Sequence, residues 1–253
     1  MQQRTAYPVG LNIEDDFCKA MRSIGAVRPV EIDPNCQDHK YNADIVFKER
    51  GIIAEIKTLV NDSRAAKDFG KRYSALYAKW TAKGLVPSQS GPTLKLDTSK
   101  LPEACSHELL RLATRPAKQH AESANAQIKG LKQTLGMQDA KGLLVLCNTG
   151  NPFLAPEIIG YGLHHAMPHA RYRSIDWMIF MTHKLPVRVS GVSEPADVFA
   201  RVLRDGFPPM PSDLFGGISA AWFHYLAKKT GEPVKAYASD DPDGLFDVKH
   251  LSS

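Results

Sequence analysis

The chain has 253 residues, 43% of them hydrophobic and 23% charged, with a formal net charge of +5. That balance excludes a disordered polyelectrolyte and a disulfide-stapled mini-domain, and it suits one large globular domain, with or without an insertion. No apolar run approaches the roughly 18 residues that a membrane span requires, and the modest positive charge permits a polyanionic partner without demanding one.

Cys18, Cys36, Cys105 and Cys147 lie far apart with no C-x-x-C pair, so they read as reduced core thiols of a cytoplasmic protein rather than as a zinc ribbon. The opening MQQRTAYPVGLNIEDDF lacks the basic-then-apolar pattern of a signal peptide. Residues 11–25 predict an amphipathic helix, with Ile13, Phe17, Met21 and Ile24 at spacings of three and four and Gly25 as its stop. PVEID, residues 29–33, fits a short strand, and PNCQDHK a loop. NADIVFK and GIIAEIKTL then predict two strands joined by the hairpin connection KERG.

Residues 62–84 read as a helix that interleaves Lys67, Lys71, Arg72, Lys79 and Lys83 with Phe69, Tyr73, Leu76, Tyr77 and Trp80. The aromatics suit a buried face, while Lys67, Lys71, Arg72 and Lys79 suit contacts to a phosphate backbone. Residues 85–101 predict a loop and 102–114 a helix. Pro116 opens a long helix whose buried stripe is Ala117, Ala121, Ala124, Ile128, Leu131 and Leu135. GLLVLCN is the continuous apolar run of a central strand. A helix near 154–166, a strand IDWMIFMTH, and helices near 195–205 and 212–229 complete the reading, with a polar, loosely held tail. His164, His165 and His169 near Arg171 and Arg173, interrupted by Pro168, read as a polar helix end rather than a metal site. DLFGGIS has too few glycines for a phosphate loop.

The chemistry concentrates in the hairpin. Strand alternation places Glu55 and Lys57 on one face, about 7 Å apart along the strand, with Ile52, Ala54, Ile56 and Thr58 opposite. If the two strands pair, Asp44 lies beside them. Two close carboxylates are costly to bury unless a cation neutralises them. Mg²⁺ (or Mn²⁺) accepts carboxylates, a backbone carbonyl such as that of Ile56, water and substrate phosphate. A bound metal of this kind acidifies water and stabilises phosphoryl charge, and Lys57 would orient the water or stabilise that charge. The bland alternative is a cross-strand ion pair on a solvated sheet face.

Asp44, ten intervening residues, then Glu55-Ile56-Lys57 resembles the D…(D/E)-x-K signature of the PD-(D/E)XK nuclease superfamily. The element order resembles its core of a helix, a three-stranded meander, a helix and a further strand. The resemblance covers residues 10–60 and 115–148, and departs in having Asn42-Ala43 where the motif's proline would stand. It implies a restriction-endonuclease-like αβββαβ core, an α/β fold with a mixed sheet flanked by helices. It also implies a glutamate on the first helix, for which Glu14 fits with Asp15 and Asp16 as competitors. A glutamine on the following helix is implied too, with Gln127 a better candidate than Gln133. The expectation is one nuclease-like domain with its core at about 10–60 and 115–185, a helical insertion at 61–114 and a helical extension at 186–253. Its catalytic set would be Asp44, Glu55, Lys57, Glu14 and Gln127, with Asp44, Glu55, Ile56 and Glu14 holding Mg²⁺. The partner would be nucleic acid, DNA rather than RNA, with no membrane, and a homodimer where both strands of a duplex are cut. A non-catalytic nucleic-acid-binding or assembly module on the same fold is the competing expectation.

Overall fold

The computed structural model describes residues 11–38, 43–61, 67–88, 100–151, 154, 158–160, 162–163, 171–183, 185, 187–189, 197–202, 208–231, 233–234, 236–239 and 248–250. The chain builds an α/β domain on a mixed sheet. Its strands are β1 (Ile45–Phe47), β2 (Ile52–Leu59), β3 (Lys141–Asn148), β4 (Trp177–Thr182), β6 (Asp197–Val202) and β7 (Ala236–Ser239), in the order β1-β2-β3-β4-β6-β7. β1 and β2 are antiparallel, β2, β3 and β4 run parallel, β4 and β6 are antiparallel, and β6 and β7 are parallel. β5 (Val187–Val189) and β8 (Val248–His250) form a separate antiparallel pair.

The hairpin is closed by one turn of 3₁₀ helix over Lys48–Arg50 and by Gly51 at φ +59°, a left-handed conformation that glycine adopts without strain. The parallel strands are apolar on both faces because helices cover both. On one face, Val46, Ile53, Leu144, Leu146 and Phe180 pack under Ala117, Ala121, Ala124, Ile128 and Leu131 of α5, the fifth helix (Arg115–Thr134). On the other, Ile45, Ala54, Ile56, Val145 and Ile179 pack under Phe17 and Met21 of α1 (Ile13–Met21) and under Phe215, Ile218 and Trp222 of α6 (Ser212–Thr230). Phe17 and Trp222 meet at a centroid distance of 5.4 Å and tie α1 to α6. Burying such side chains contributes about 1.5–3 kcal/mol each.

At the start of β3 the chain admits only glycine. A Cβ on Gly142 would lie 1.7 Å from the Ser174 carbonyl oxygen, while the Gly142 N–H donates to Asp176 Oδ2 at 2.8 Å. Gly142→Ala should therefore destabilise the fold by about 3 kcal/mol, the upper end of overpacking costs, as read by urea unfolding.

Three expectations need correction. PVEID is a helix, α2 (Pro29–Ile32): Pro29 sits at its first position, and the Glu31 carboxylate accepts the Arg28 N–H at 3.0 Å, closing the turn. The outer strand of the meander shrinks to a single bridge, Val27 with Val46. The segment near 195–205 is strand β6, since the spacing of Val198, Phe199 and Val202 serves a short buried strand as well as a helix. The region beyond 186 is consequently only partly helical: β6 and β7 extend the main sheet, and β8 pairs with β5. Of the helix expected at 154–166, the described residues 158–160 and 162–163 are helical. Asn42, His164, His165, Pro168 and His169 lie outside the described residues.

The insertion forms α3 (Lys67–Ala82) and α4 (Glu103–Ala113), which share a small core of Tyr77, Trp80, Val86 and Cys105. Trp80 is 1% exposed and its indole N–H donates to Glu108 at 2.9 Å, so the aromatics of α3 hold the helix pair together.

Candidate active site

Asp44 stands one residue before β1, where the ladder ends. Its N–H donates to the Ala54 carbonyl at 3.2 Å, and its Oδ2 accepts the Ile56 N–H at 2.7 Å. The carboxylate thus bends around the sheet edge instead of pointing to one face. In an extended strand a residue's N–H and C=O project from the same edge, so the Ile56 carbonyl faces the Asp44 side. Glu55 and Lys57 lie on the α5 face, as the alternation required. The carboxylate of Glu55 is 1% exposed and forms an ion pair with the Lys57 ammonium, itself 17% exposed.

Helix α5 runs antiparallel to β2. Ile128 reaches Gly142 at the sheet's lower end, and His120 feels the Lys57 charge at the upper end. The part of α5 over Glu55 and Lys57 is an alanine stripe, Ala117, Ala121 and Ala124, all fully buried. Those small side chains leave depth for a carboxylate and an ammonium beneath the helix.

The electrostatics are unbalanced. Glu55 is pushed up to about 8, first by burial and then by the Asp44 charge, against the pull of Lys57. Burial also raises the Asp44 carboxyl, opposed by the Ile56 N–H and Lys57. Glu14 is raised by burial and then by Asp44. Glu55 Oε2 is buried with no hydrogen-bond partner among the described residues, although Asp44 adjoins it. Two ionised carboxylates cannot hydrogen-bond each other; a shared proton or a cation must bridge them. A hard divalent ion fits this donor set of carboxylates and one carbonyl. Among the described residues no three His, Cys, Asp or Glu groups already converge as a metal cluster. Glu55 is turned to Lys57 and Asp44 to the Ile56 N–H, so binding an ion requires side-chain rotation.

The three acidic residues of α1 separate cleanly. Asn12 caps the helix by accepting the Asp15 N–H at 3.3 Å. Asp15 pairs with Lys19 and Arg28 on the surface. Asp16 points the opposite way, 1% exposed, accepting from Tyr225 at 2.6 Å and pairing with Lys229 of α6. Glu14 alone lies in the field of Asp44 and Lys57, and its Oε1 is 3.4 Å from the Thr58 hydroxyl. Asp16 is thus an anchor that fixes α1 on α6 and thereby aims Glu14.

Gln127 is half-buried and accepts from Ser123 at 3.0 Å, two helical turns from His120; Gln133 is exposed farther along. The α5 side chain that meets the Lys57 field is His120, whose pKa burial and Lys57 hold down, so it is a neutral group at neutral pH. Its flank of the helix, off the apolar stripe, is the only signal the sequence carried for it. Lys71 and Arg72 are exposed on α3, Arg72 near Asp68 at 3.9 Å, and Lys79 is held by Glu108 at 2.6 Å. Lys67 opens α3, its side chain outside the described residues. The four cysteines are buried, and Cys18 beside Asp44 is pushed up to about 12, an inert thiol.

Two clefts open at the site. One, of about 280 Å³, is lined by Glu14, Arg28 and Asp44. The other, of about 360 Å³, shares Asn12 and Glu14 with it and continues to Thr58, Thr149 and His183. Among the described residues no helix is long and apolar enough to cross a membrane. No protein-family model matches the chain, and no curated protein and no solved structure matches it.

Proposed function

We propose that this protein is a metal-dependent phosphodiester hydrolase acting on nucleic acid, DNA in preference to RNA, on a restriction-endonuclease-like core. The observation that carries the reading is Glu55: a carboxylate 1% exposed, one oxygen unpartnered, pressed against Asp44 and beside a lysine. A fold gains no stability from such a group, whereas a cation site requires it. The order α1, Val27 bridge, antiparallel hairpin, α5, parallel β3 supports the same reading.

In that function Asp44, Glu55 and the Ile56 carbonyl would hold Mg²⁺, with Glu14 of α1 as the further carboxylate. The bound ion supplies an acidified water and neutralises phosphate charge. Lys57, whose ammonium pairs with Glu55 in the metal-free site, would donate a hydrogen bond to the attacking water or to a phosphate oxygen. His120, neutral and half-buried, offers a second hydrogen-bonding group on the α5 side. Lys71 and Arg72, exposed on α3, would serve as contacts to a strand's phosphate backbone. The test is incubation of the purified chain with plasmid, linear and single-stranded DNA and RNA, in Mg²⁺, Mn²⁺ and EDTA. Metal-dependent cleavage that EDTA stops is expected; binding without cleavage would favour the non-catalytic module.

A further inference from the structure

The second cleft has chemistry unlike the first. It lies across the carboxyl ends of the three parallel strands, between Thr58 near the end of β2, Val60 just after it, Thr149 after β3 and His183 after β4. Open α/β sheets bind ligands at this edge. Its volume of about 360 Å³ falls in the class that holds one drug-sized molecule. Its walls are apolar at Leu11, Ile13 and Val60, and Val60 is 60% exposed at the rim, an apolar surface offered to solvent.

The polar groups are few and under-used. The Thr58 hydroxyl meets Glu14 only at 3.4 Å and the Thr149 hydroxyl meets the Leu59 carbonyl only at 3.4 Å, both long for O–H···O bonds. The back wall is His183, whose imidazole is held 3.5 Å from Asp197. Among the described residues no lysine or arginine lines this cleft, and the carboxylate there is Glu14. Among the described lining residues a phosphate would find no cation. A neutral ring with polar edges would find apolar walls and two hydroxyls.

We propose that this cleft is a nucleoside subsite: it receives the sugar and base next to the phosphate that the Asp44–Glu55 site holds. This rests on the nuclease reading and sharpens it. A paired base cannot enter a cleft one nucleoside wide, so the substrate is an unpaired strand, a strand end or an extruded nucleotide, not an intact duplex interior. Glu14, shared by both clefts, marks the joint between phosphate and sugar.

The test uses the full chain and Val60→Trp, which fills the mouth from an exposed position. Thymidine and 2′-deoxyadenosine, both uncharged, are titrated into ¹⁵N-labelled protein in EDTA, where nothing is cleaved. Amide shifts are expected at Val60, Thr149 and His183 and not at Lys71, with binding at least tenfold weaker in Val60→Trp. In Mg²⁺, the KM for a single-stranded oligonucleotide should rise at least tenfold in that variant while kcat stays within twofold. Val60→Ser, which removes the apolar rim without bulk, should weaken nucleoside binding in the same direction. Absence of nucleoside shifts, or equal binding by Val60→Trp, overturns the subsite whatever the cleavage assay shows. Nucleoside binding in a protein that cleaves nothing supports the subsite and overturns the nuclease reading instead.

Discussion

Lys57→Ala should lower the metal-dependent cleavage rate by about 10²–10³-fold, the usual loss when one donor to developing charge is removed. Its ammonium is the cation placed among Asp44, Glu55 and Glu14 by the protein itself. Asp44→Ala should abolish cleavage and weaken Mn²⁺ binding at least tenfold, because Asp44 is the carboxylate at the sheet edge, hydrogen-bonded beside the Ile56 carbonyl. The two variants are separable by calorimetry: Lys57→Ala keeps the metal and loses rate, whereas Asp44→Ala loses both. Truncating Lys57 also removes the charge that pulls the Glu55 carboxyl down, so in the metal-free variant Glu55 keeps its proton to higher pH. Rates should therefore be compared at saturating Mg²⁺, where the ion supplies the missing positive charge. Cleavage that survives both substitutions would remove the hairpin from the chemistry.

The proximity of the candidate site's core residues was legible because strand alternation is rigid. A period of two put Glu55 and Lys57 together before any fold was known, and the register Ile45 with Ala54 brings Asp44 to them. The resemblance alone prefers Glu14 over Asp15 and Asp16, since the residues themselves do not separate the three. All three suit a helix's first turn, and the choice depends on Tyr225 and Lys229, over 200 residues away in sequence. His120 was hidden for a related reason: a histidine beside an apolar stripe gains meaning only once β2 is known to lie beneath it. Strand β6 and helix α2 were misjudged because short segments carry too few residues to establish a period, so neighbours decide them. The buried stripe of α5 from Ala117 to Leu131 and the span of β2 agree with the sequence reading, since long periodic segments constrain themselves, while Leu135 caps the helix and is only half-buried.

The same buried carboxylate proposed to hold the ion should make the metal-free protein less stable as pH rises. Glu55 titrates near 8 in the fold, against an ordinary value of 4.5. Between these values the folded state holds a proton that the unfolded state has lost, so stability is fullest below about 4.5 and declines as pH climbs toward 8. Asp44 and Glu14, raised by the same crowding, act in the same direction. His120, with its pKa held down, acts oppositely: its contribution is lost as pH falls below the ordinary histidine value. The comparison that isolates Glu55 is wild type against Glu55→Gln in EDTA across pH 5–8. Wild-type Tm should fall over this range relative to the variant, whose profile should be flatter. Mg²⁺ should reverse the loss at pH 8, because an ion that binds only the folded state stabilises it by about 2.7 kcal/mol at 100-fold excess over Kd. For a chain of this size that corresponds to roughly 5–10 °C in Tm. The Mg²⁺ effect should fade at pH 5, where protons occupy the oxygens that the ion needs. A Tm that ignores Mg²⁺ at pH 8 while Glu55→Gln abolishes the pH slope would show a buried carboxylate serving no cation, and the hydrolase reading would fail with it.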